Sequence, residues 1–154
     1  MEAENNRDIA KSVFIDVLEK LAFMFGDAVP KDEIPEPSSD CTEAYMTFKG
    51  PRSGTLGIVV PTDVCSEIAA NVLGMDIDDE IVIGHAEDAL KEVLNVICGN
   101  LLTALEGDNP IFDLAVPLIK NISVPEWNSI LESADSIAFI LDESPVLMYL
   151  RSND

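Results

Sequence analysis

A stripe of polar residues on one predicted helix is the feature of this sequence most suggestive of chemistry. Apolar periodicity predicts the helix from about residue 84 to 106, with a packing face of Leu90, Val93, Leu94, Ile97, Leu101, Ala104 and Leu105. At about 100° per residue, four residues fall within roughly 60° of one another on the opposite side: Asp88, Glu92, Asn95 and Gly99. Asparagine is a poor helix former, and glycine costs about 1 kcal/mol relative to alanine. Because packing requires neither choice, we expect the stripe to contact another molecule.

A carboxylate and a carboxamide one turn apart can position a water molecule for attack. The carboxamide of Asn95 can donate and accept hydrogen bonds together, so it could hold a water in line with a phosphoryl group. Hydrolysis needs little more when a metal and cations are already present. Glu92 would repel the phosphate, but it could pair with a lysine or arginine of a partner. The stripe therefore favours phosphoryl hydrolysis on a partner molecule.

Motifs for other catalytic chemistry are absent from the sequence. It has no phosphate-cradling glycine loop, zinc ligand set or nucleophile elbow. The single histidine, His85, begins the predicted helix and is expected to be an ordinary surface residue. The three cysteines have no metal-like spacing and are expected to be the free thiols of a cytosolic protein; they are Cys41, Cys65 and Cys98.

Composition indicates a folded, strongly acidic chain. The 154 residues fit one domain, and 47% hydrophobic content argues against disorder. A formal net charge of −20 disfavours binding to nucleic acid or to an anionic membrane, which requires basic patches. The acidic N-terminus is no signal peptide, and no apolar run approaches the length of a membrane span. We therefore expect a cytoplasmic protein with no nucleic-acid and no membrane partner.

The hydrophobic pattern predicts two blocks of similar order. The first contains a helix at 8–26, a proline-rich exposed loop to residue 40, strands at 41–49 and 54–60, and a helix at 62–73. The second contains the helix at 84–106, a strand at 111–121, a helix at 126–132, and strands at 135–142 and 146–151. Thr62 is a candidate N-cap, and Gly74 and Gly107 are expected to end helices.

The two long helices can be aligned with each other. The first has an apolar face of Ile9, Val13, Phe14, Val17, Leu18, Leu21 and Phe25, and its Ser12, Asp16 and Glu19 then match Asp88, Glu92 and Asn95. The match suggests a duplication, with pseudo-repeats at about 8–74 and 84–151, in which the first copy has lost the amide; chance alignment of two amphipathic helices is the alternative. Helices over one face of hairpin strands imply an α+β fold, with two long helices packed on an antiparallel or mixed sheet.

The motif Asp88-x3-Glu92-x2-Asn95, followed by Gly99-Asn100 and by Pro117, resembles the signature of the CheC/CheX/FliY chemotaxis phosphatases. This resemblance implies a duplicated helix-on-sheet fold and dephosphorylation of the response regulator CheY. One good motif copy in a single short domain is most similar to the CheX type, whose members are typically homodimers.

The resemblance also implies a role for each motif residue. Glu92 would form a salt bridge to the receiver lysine, and Asn95 would orient the attacking water. Asp88, Gly99 and Asn100 would support docking, and Pro117 would lie at a strand edge or bulge beneath the helix. Mg²⁺ would belong to the phosphorylated CheY-like partner, so the chain should need no cofactor of its own.

Two other functions fit the same predicted fold. One is a non-catalytic module that binds a response regulator or a flagellar-switch partner, which would not require Asn95. The other is a structural domain of the flagellar switch, against which the complete motif argues.

Overall fold

The structure is a computed structural model that describes residues 2–108 and 111–153. In these ranges the chain forms four helices: α1 (Glu2–Ala22), α2 (Thr62–Leu73), α3 (Glu80–Glu106) and α4 (Val124–Glu132). It also forms seven strands: β1 (Gly26–Val29), β2 (Cys41–Lys49), β3 (Gly54–Pro61), β4 (Asp113–Leu114), β5 (Leu118–Ile122), β6 (Ser136–Leu141) and β7 (Ser144–Ser152). The architecture is α+β, as predicted.

The strands form one antiparallel sheet in the order β1-β6-β7-β3-β2, with β4 and β5 both pairing to the outer side of β2. The order is unchanged when it is reversed and the two blocks are exchanged, since β1 of the first block pairs with β6 of the second, and β5 of the second pairs with β2 of the first. The short helices do not correspond, because α2 follows β3 whereas α4 precedes β6. The duplication remains a proposal, which the strand order supports.

Three helices cover one face of the sheet and enclose the main core. Ala44, Met46 and Phe48 of β2 point into this core, where Phe14 of α1 stacks on Phe139 of β6 with ring centroids 4.1 Å apart. The short helix α4 lies on the other face, where Trp127 is at the centre of a smaller apolar cluster. The sheet therefore supports α3 from beneath, and the outer side of α3 faces solvent.

Helix α3 begins four residues earlier than predicted. The side chain of Asp79 caps it by accepting a hydrogen bond from the backbone N–H of Ile81. It ends at Glu106, and Gly107 follows with φ of 83°, which confirms the expected stop. Ala104, predicted to pack, is exposed, whereas Leu101 and Leu102 just before it are buried.

Helix α1 begins at Glu2, six residues before the predicted start, and ends at Ala22, four residues before the predicted end. Phe23 adopts a left-handed conformation with φ of 55°, and the backbone of Phe25 exchanges hydrogen bonds with Asp142. Phe25 is consequently exposed instead of lying on the apolar face of α1. The chain then enters β1, an edge strand within the segment expected to be a loop.

Thr62 is not the N-cap of α2. Pro61 occupies that position without a side-chain capping bond. The Thr62 hydroxyl instead donates to the carbonyl of Asp40 and lies 3.1 Å from the hydroxyl of Thr42. Gly74 ends α2 with φ of 66°, as expected. The remaining boundaries of β2, β3, α4, β6 and β7 lie within two residues of their predicted positions.

Candidate functional site

The polar stripe of α3 lies on the solvent side of the helix. Asp88, Glu92 and Asn95 are exposed, and Gly99 is half-buried. Within residues 2–108 and 111–153, none of the three polar side chains takes part in a hydrogen bond or an ion pair. Residues three or four apart on a helix have Cβ atoms about 5–6 Å apart. A carboxylate and a carboxamide therefore project side by side into water, with no internal partner among the described residues.

The helix holds this stripe on a rigid base. The opposite side of α3 is closely packed, and Leu90, Val93, Leu94 and Ile97 have no exposed surface. A helix of 27 residues that is fixed along one face cannot rotate to bury its other face. The backbone positions of Glu92 and Asn95 are therefore set before any partner arrives, which lowers the cost of ordering them on binding.

Gly99 has no packing reason to be glycine. A Cβ atom built on it meets nothing within 4 Å, and the residue lies in regular helix. At Gly57, by contrast, the same Cβ atom would lie 2.2 Å from the ring of Tyr149. The cost of about 1 kcal/mol for a mid-helix glycine is not offset inside the molecule at position 99. A missing side chain in the stripe remains useful for close approach by another molecule.

Asn100 does not join the stripe. It is exposed, but one residue along a helix is a rotation of about 100°, so its side chain points well away from those of Glu92 and Asn95. The structure thus brings Asp88, Glu92, Asn95 and Gly99 together and leaves Asn100 outside.

Pro117 is buried and lies in a bulge at the sheet edge. Strand β2 pairs Tyr45 with Leu118 and Phe48 with Leu114, so residues 115–117 of one strand oppose residues 46–47 of the other. Proline cannot donate to a strand ladder, which explains why the predicted strand at 111–121 is divided into β4 and β5. The expected position at a bulge is confirmed. Because β5 packs against α3, Pro117 shapes the support of the helix and not the stripe.

The surroundings of the stripe offer neither a nucleophile nor a metal centre. In the described part of the chain, no group of three or more histidine, cysteine, aspartate or glutamate side chains could hold a metal ion. His85 is exposed and its Nδ1 donates to the carbonyl of Ile81 over 2.8 Å. Burial raises the pKa of all three cysteine thiols to about 11, so they stay protonated and poorly reactive at neutral pH.

Sequence reasoning missed an apolar surface beside the stripe, which we call the α2–α3 corner (residues 73–83). A cavity of about 340 Å³ adjoins this corner and is lined by Ile83, Gly84, Glu87 and Asp88, together with residues from β2 and α2. The only sequence signal was a set of isoleucines among acids, at 77, 81 and 83, before the predicted start of the helix.

The matching family model identifies the class of protein. The model described as chemotaxis phosphatase CheX matches residues 43–125, which is more than half of the chain. This protein therefore belongs to the CheX family. The matched segment contains the whole stripe, Asn100 and Pro117. No curated protein matches the chain.

Solved structures of this family share the fold. CheX from Desulfovibrio desulfuricans superposes with a TM-score of 0.68 at 17% identity, covering 97% of this chain and 99% of its own. CheX from Vibrio vulnificus gives 0.67 at 13% identity, covering 95% of each chain. The complex of CheX with CheY, BeF₃ and Mg²⁺ from Borrelia burgdorferi gives 0.63 at 17% identity, covering 100% and 99%. They confirm the CheC/CheX-like fold predicted from the sequence. None of the described helices is long and apolar enough to cross a membrane.

Proposed function

We propose that this protein accelerates hydrolysis of the phosphoaspartate of a CheY-like response regulator. The observation that carries the proposal is the pair formed by Glu92 and Asn95, exposed on a rigid helix without internal partners. Membership of the CheX family supports it. So does the likeness in fold to a CheX that was crystallised with CheY, BeF₃ and Mg²⁺.

In this mechanism Asn95 orients the attacking water. Its carboxamide accepts a hydrogen bond through its oxygen and donates through its nitrogen, so it can fix a water on the line through phosphorus and the leaving carboxylate oxygen. Phosphoryl transfer depends mainly on such positioning and on charge already present at the site. The receiver supplies the phosphoryl group and its Mg²⁺, and this chain supplies no cofactor.

Glu92 sets the position of Asn95 relative to the receiver. We propose that its carboxylate pairs with the receiver lysine beside the phosphoaspartate in a charge-assisted hydrogen bond. Asp88 lies one turn before Glu92 and supports the same contact. Gly99 lies one turn after Asn95, where the missing side chain lets the receiver backbone come close.

The test of catalysis is the decay of labelled phospho-receivers in a panel of purified proteins. Asn95→Ala should lose on the order of 10²-fold in rate, as expected for a misplaced nucleophile, while binding to the receiver is retained. Asn5→Ala removes another exposed amide of a helix, from α1, and should leave the rate unchanged. If Asn95→Ala accelerates decay as well as the wild type does, the mechanism is wrong. A wild type that binds the receiver without accelerating decay would be the non-catalytic module.

The role of Glu92 can be tested separately by exchanging charges. Glu92→Ala should weaken both binding and turnover, because it removes the carboxylate that pairs with the receiver lysine. Glu92→Lys should be worse still with the normal receiver, since it opposes two cations. A receiver with glutamate in place of that lysine should recover part of its binding to Glu92→Lys. No recovery would show that the two residues do not meet.

We also propose that the protein is a homodimer, as the family resemblance implies. Strands β4 and β5 form a sheet edge whose neighbourhood exposes Ile111, Leu114, Val116 and Leu118. Exposed apolar edges are surfaces that soluble proteins usually protect. Light scattering should give twice the monomer mass for the wild type and the monomer mass for Val116→Lys. A monomeric wild type would refute the proposal.

A further inference from the structure

The α2–α3 corner carries much of the exposed apolar surface of the described residues. Of eleven exposed large apolar side chains, five fall within its eleven residues: Leu73, Met75, Ile77, Ile81 and Ile83. The rest lie at the end of α1 or near the β4–β5 edge. Exposed apolar side chains scattered singly are ordinary, whereas a cluster of them on a soluble protein marks a place where another molecule binds.

The corner is continuous with the polar stripe. Ile81 precedes Asp88 by seven residues, which places it within about 20° of Asp88 around the helix and about 10 Å away along the axis. The cavity of about 340 Å³ runs round the helix from Ile83 to Asp88. The capping bond from Asp79, 2.9 Å long, fixes this end of α3. A molecule seated on the stripe would therefore reach the corner as well.

One flank of the apolar face of α3 is left open near the start of the helix. Ile83 lies seven residues before Leu90, on the same side of the helix. Leu90 is fully buried, whereas Ile83 is 63% exposed. Its neighbour Val82 is fully buried, so the described chain covers one flank of this end of α3 and leaves the flank of Ile83 open to a partner.

Long-range electrostatics cannot bring the proposed partners together. This chain has a formal net charge of −20, and the phosphoaspartate of a receiver is itself an anion, so the general field between them is repulsive. The proposed salt bridge through Glu92 acts only at short range, after the two proteins have met. Apolar burial is independent of net charge, and the corner is the apolar surface nearest the stripe along α3.

We propose that the α2–α3 corner is the apolar anchor for the receiver domain. The receiver whose phosphoaspartate meets Glu92 and Asn95 would cover Ile81 with an apolar patch next to its phosphorylation site. From there it would continue round the helix to Ile83, across a cavity whose lining also carries Glu87. This inference rests on the proposed function. An anchor remote from the reacting atoms is made equally in the ground state and the transition state, so its loss raises KM and leaves kcat unchanged.

The experiment compares Ile81→Ser and Ile83→Ser with Phe25→Ser, all in the full chain. Isoleucine and serine have similar helix propensities, and all three positions are exposed, so folding should be retained and is checked by circular dichroism. The probe is the receiver selected by the decay panel, phosphorylated for kinetics and activated with BeF₃⁻ for binding. We expect each corner variant to raise KM and Kd about tenfold, the effect of losing one apolar anchor from an interface. Phe25→Ser should change neither constant.

The outcomes separate this inference from the proposed function. If the corner variants keep wild-type KM and Kd while Asn95→Ala loses turnover, the anchor is wrong and the phosphatase proposal stands. If they lower kcat, the corner supports the helix and not docking, and the inference fails. If the wild type binds a receiver without hydrolysing it, the Kd values alone decide on the anchor. A wild type that binds no receiver overturns both.

Discussion

Gly99→Ala should make this protein more stable and less active. In the structure the added methyl group meets nothing within 4 Å, so no strain opposes it. Replacing a mid-helix glycine by alanine is worth up to about 1 kcal/mol, partly through reduced freedom of the unfolded chain. For a chain of this size, the melting temperature should rise by roughly 2–4 °C.

The same methyl group stands in the stripe one turn beyond Asn95, where the receiver backbone is proposed to approach. A displacement of about 1 Å at the reacting atoms can cost on the order of 10²-fold in rate. We therefore expect kcat/KM to fall by roughly 10- to 100-fold. A substitution that damages the fold would lower stability and activity together. A rise in stability with a fall in activity is therefore diagnostic of a contact made only with the partner.

Two measurements on the same samples test this prediction: urea unfolding followed by circular dichroism, and decay of the phospho-receiver. Gly84→Ala is the stability comparator, because its Cβ also meets open space in α3 and it should gain a similar free energy of unfolding. A Gly99→Ala protein that is stabilised and fully active would refute the close-approach argument. A destabilised one would show that the helix surface at position 99 is not open.

Three further outcomes follow from the structure. Asn100→Ala should lose less of kcat/KM than Gly99→Ala in the decay assay, because its side chain points away from the stripe. KM should change little between low and high salt, since an acidic chain is not steered to its partner; a steep loss of rate with salt would contradict this. Burial raises the pKa of the three thiols to about 11, above the unfolded value of about 8.5. The unfolded chain therefore loses these protons first. The contribution of the three thiols to the free energy of unfolding is complete below about pH 8.5 and falls as pH rises toward 11. Urea titrations at pH 8 and 10.5 check this.

Helix α3 and the β2–β3 hairpin could be predicted because their signals are local. The apolar period of α3 continues for several turns, and Gly107 ends it with a positive φ. The β2–β3 pair is closed by a short turn and keeps one register from Phe48 to Cys41. In such elements the environment of each residue is set by its near neighbours in sequence, so the pattern and the structure agree.

Other elements depend on contacts that local patterns do not contain. Strand β1 has only four residues and exists because β6 offers it an edge. The division between β4 and β5 comes from the one-residue change in pairing with β2 at Pro117. Thr62 has the composition of a cap, but its hydroxyl is drawn to Asp40 and Thr42 by the approach of β2.

The candidate site also combines features that local patterns predict with features that depend on distant contacts. Exposure of Glu92 and Asn95 follows from helix geometry, once the opposite face is known to be apolar. Exposure of Ile83 does not, because it occupies a packing position and is left open while its neighbour Val82 is fully buried. Periodicity shows which side of a helix is apolar, but not which part of that side the rest of the chain covers.

A phosphatase whose substrate brings its own metal, cation and phosphoryl group needs very little from its sequence. Functional residues can then be recognised only where their types are unfavourable for the fold. Asn95 and Gly99 are both poor choices for a helix interior, and the structure shows no internal compensation for either. Ile81 and Ile83 violate the opposite expectation, since 48% and 63% of their apolar surface is exposed to water. Because both kinds of violation occur on one helix, contact with a single partner accounts for all four residues, whereas the fold of the isolated chain accounts for none.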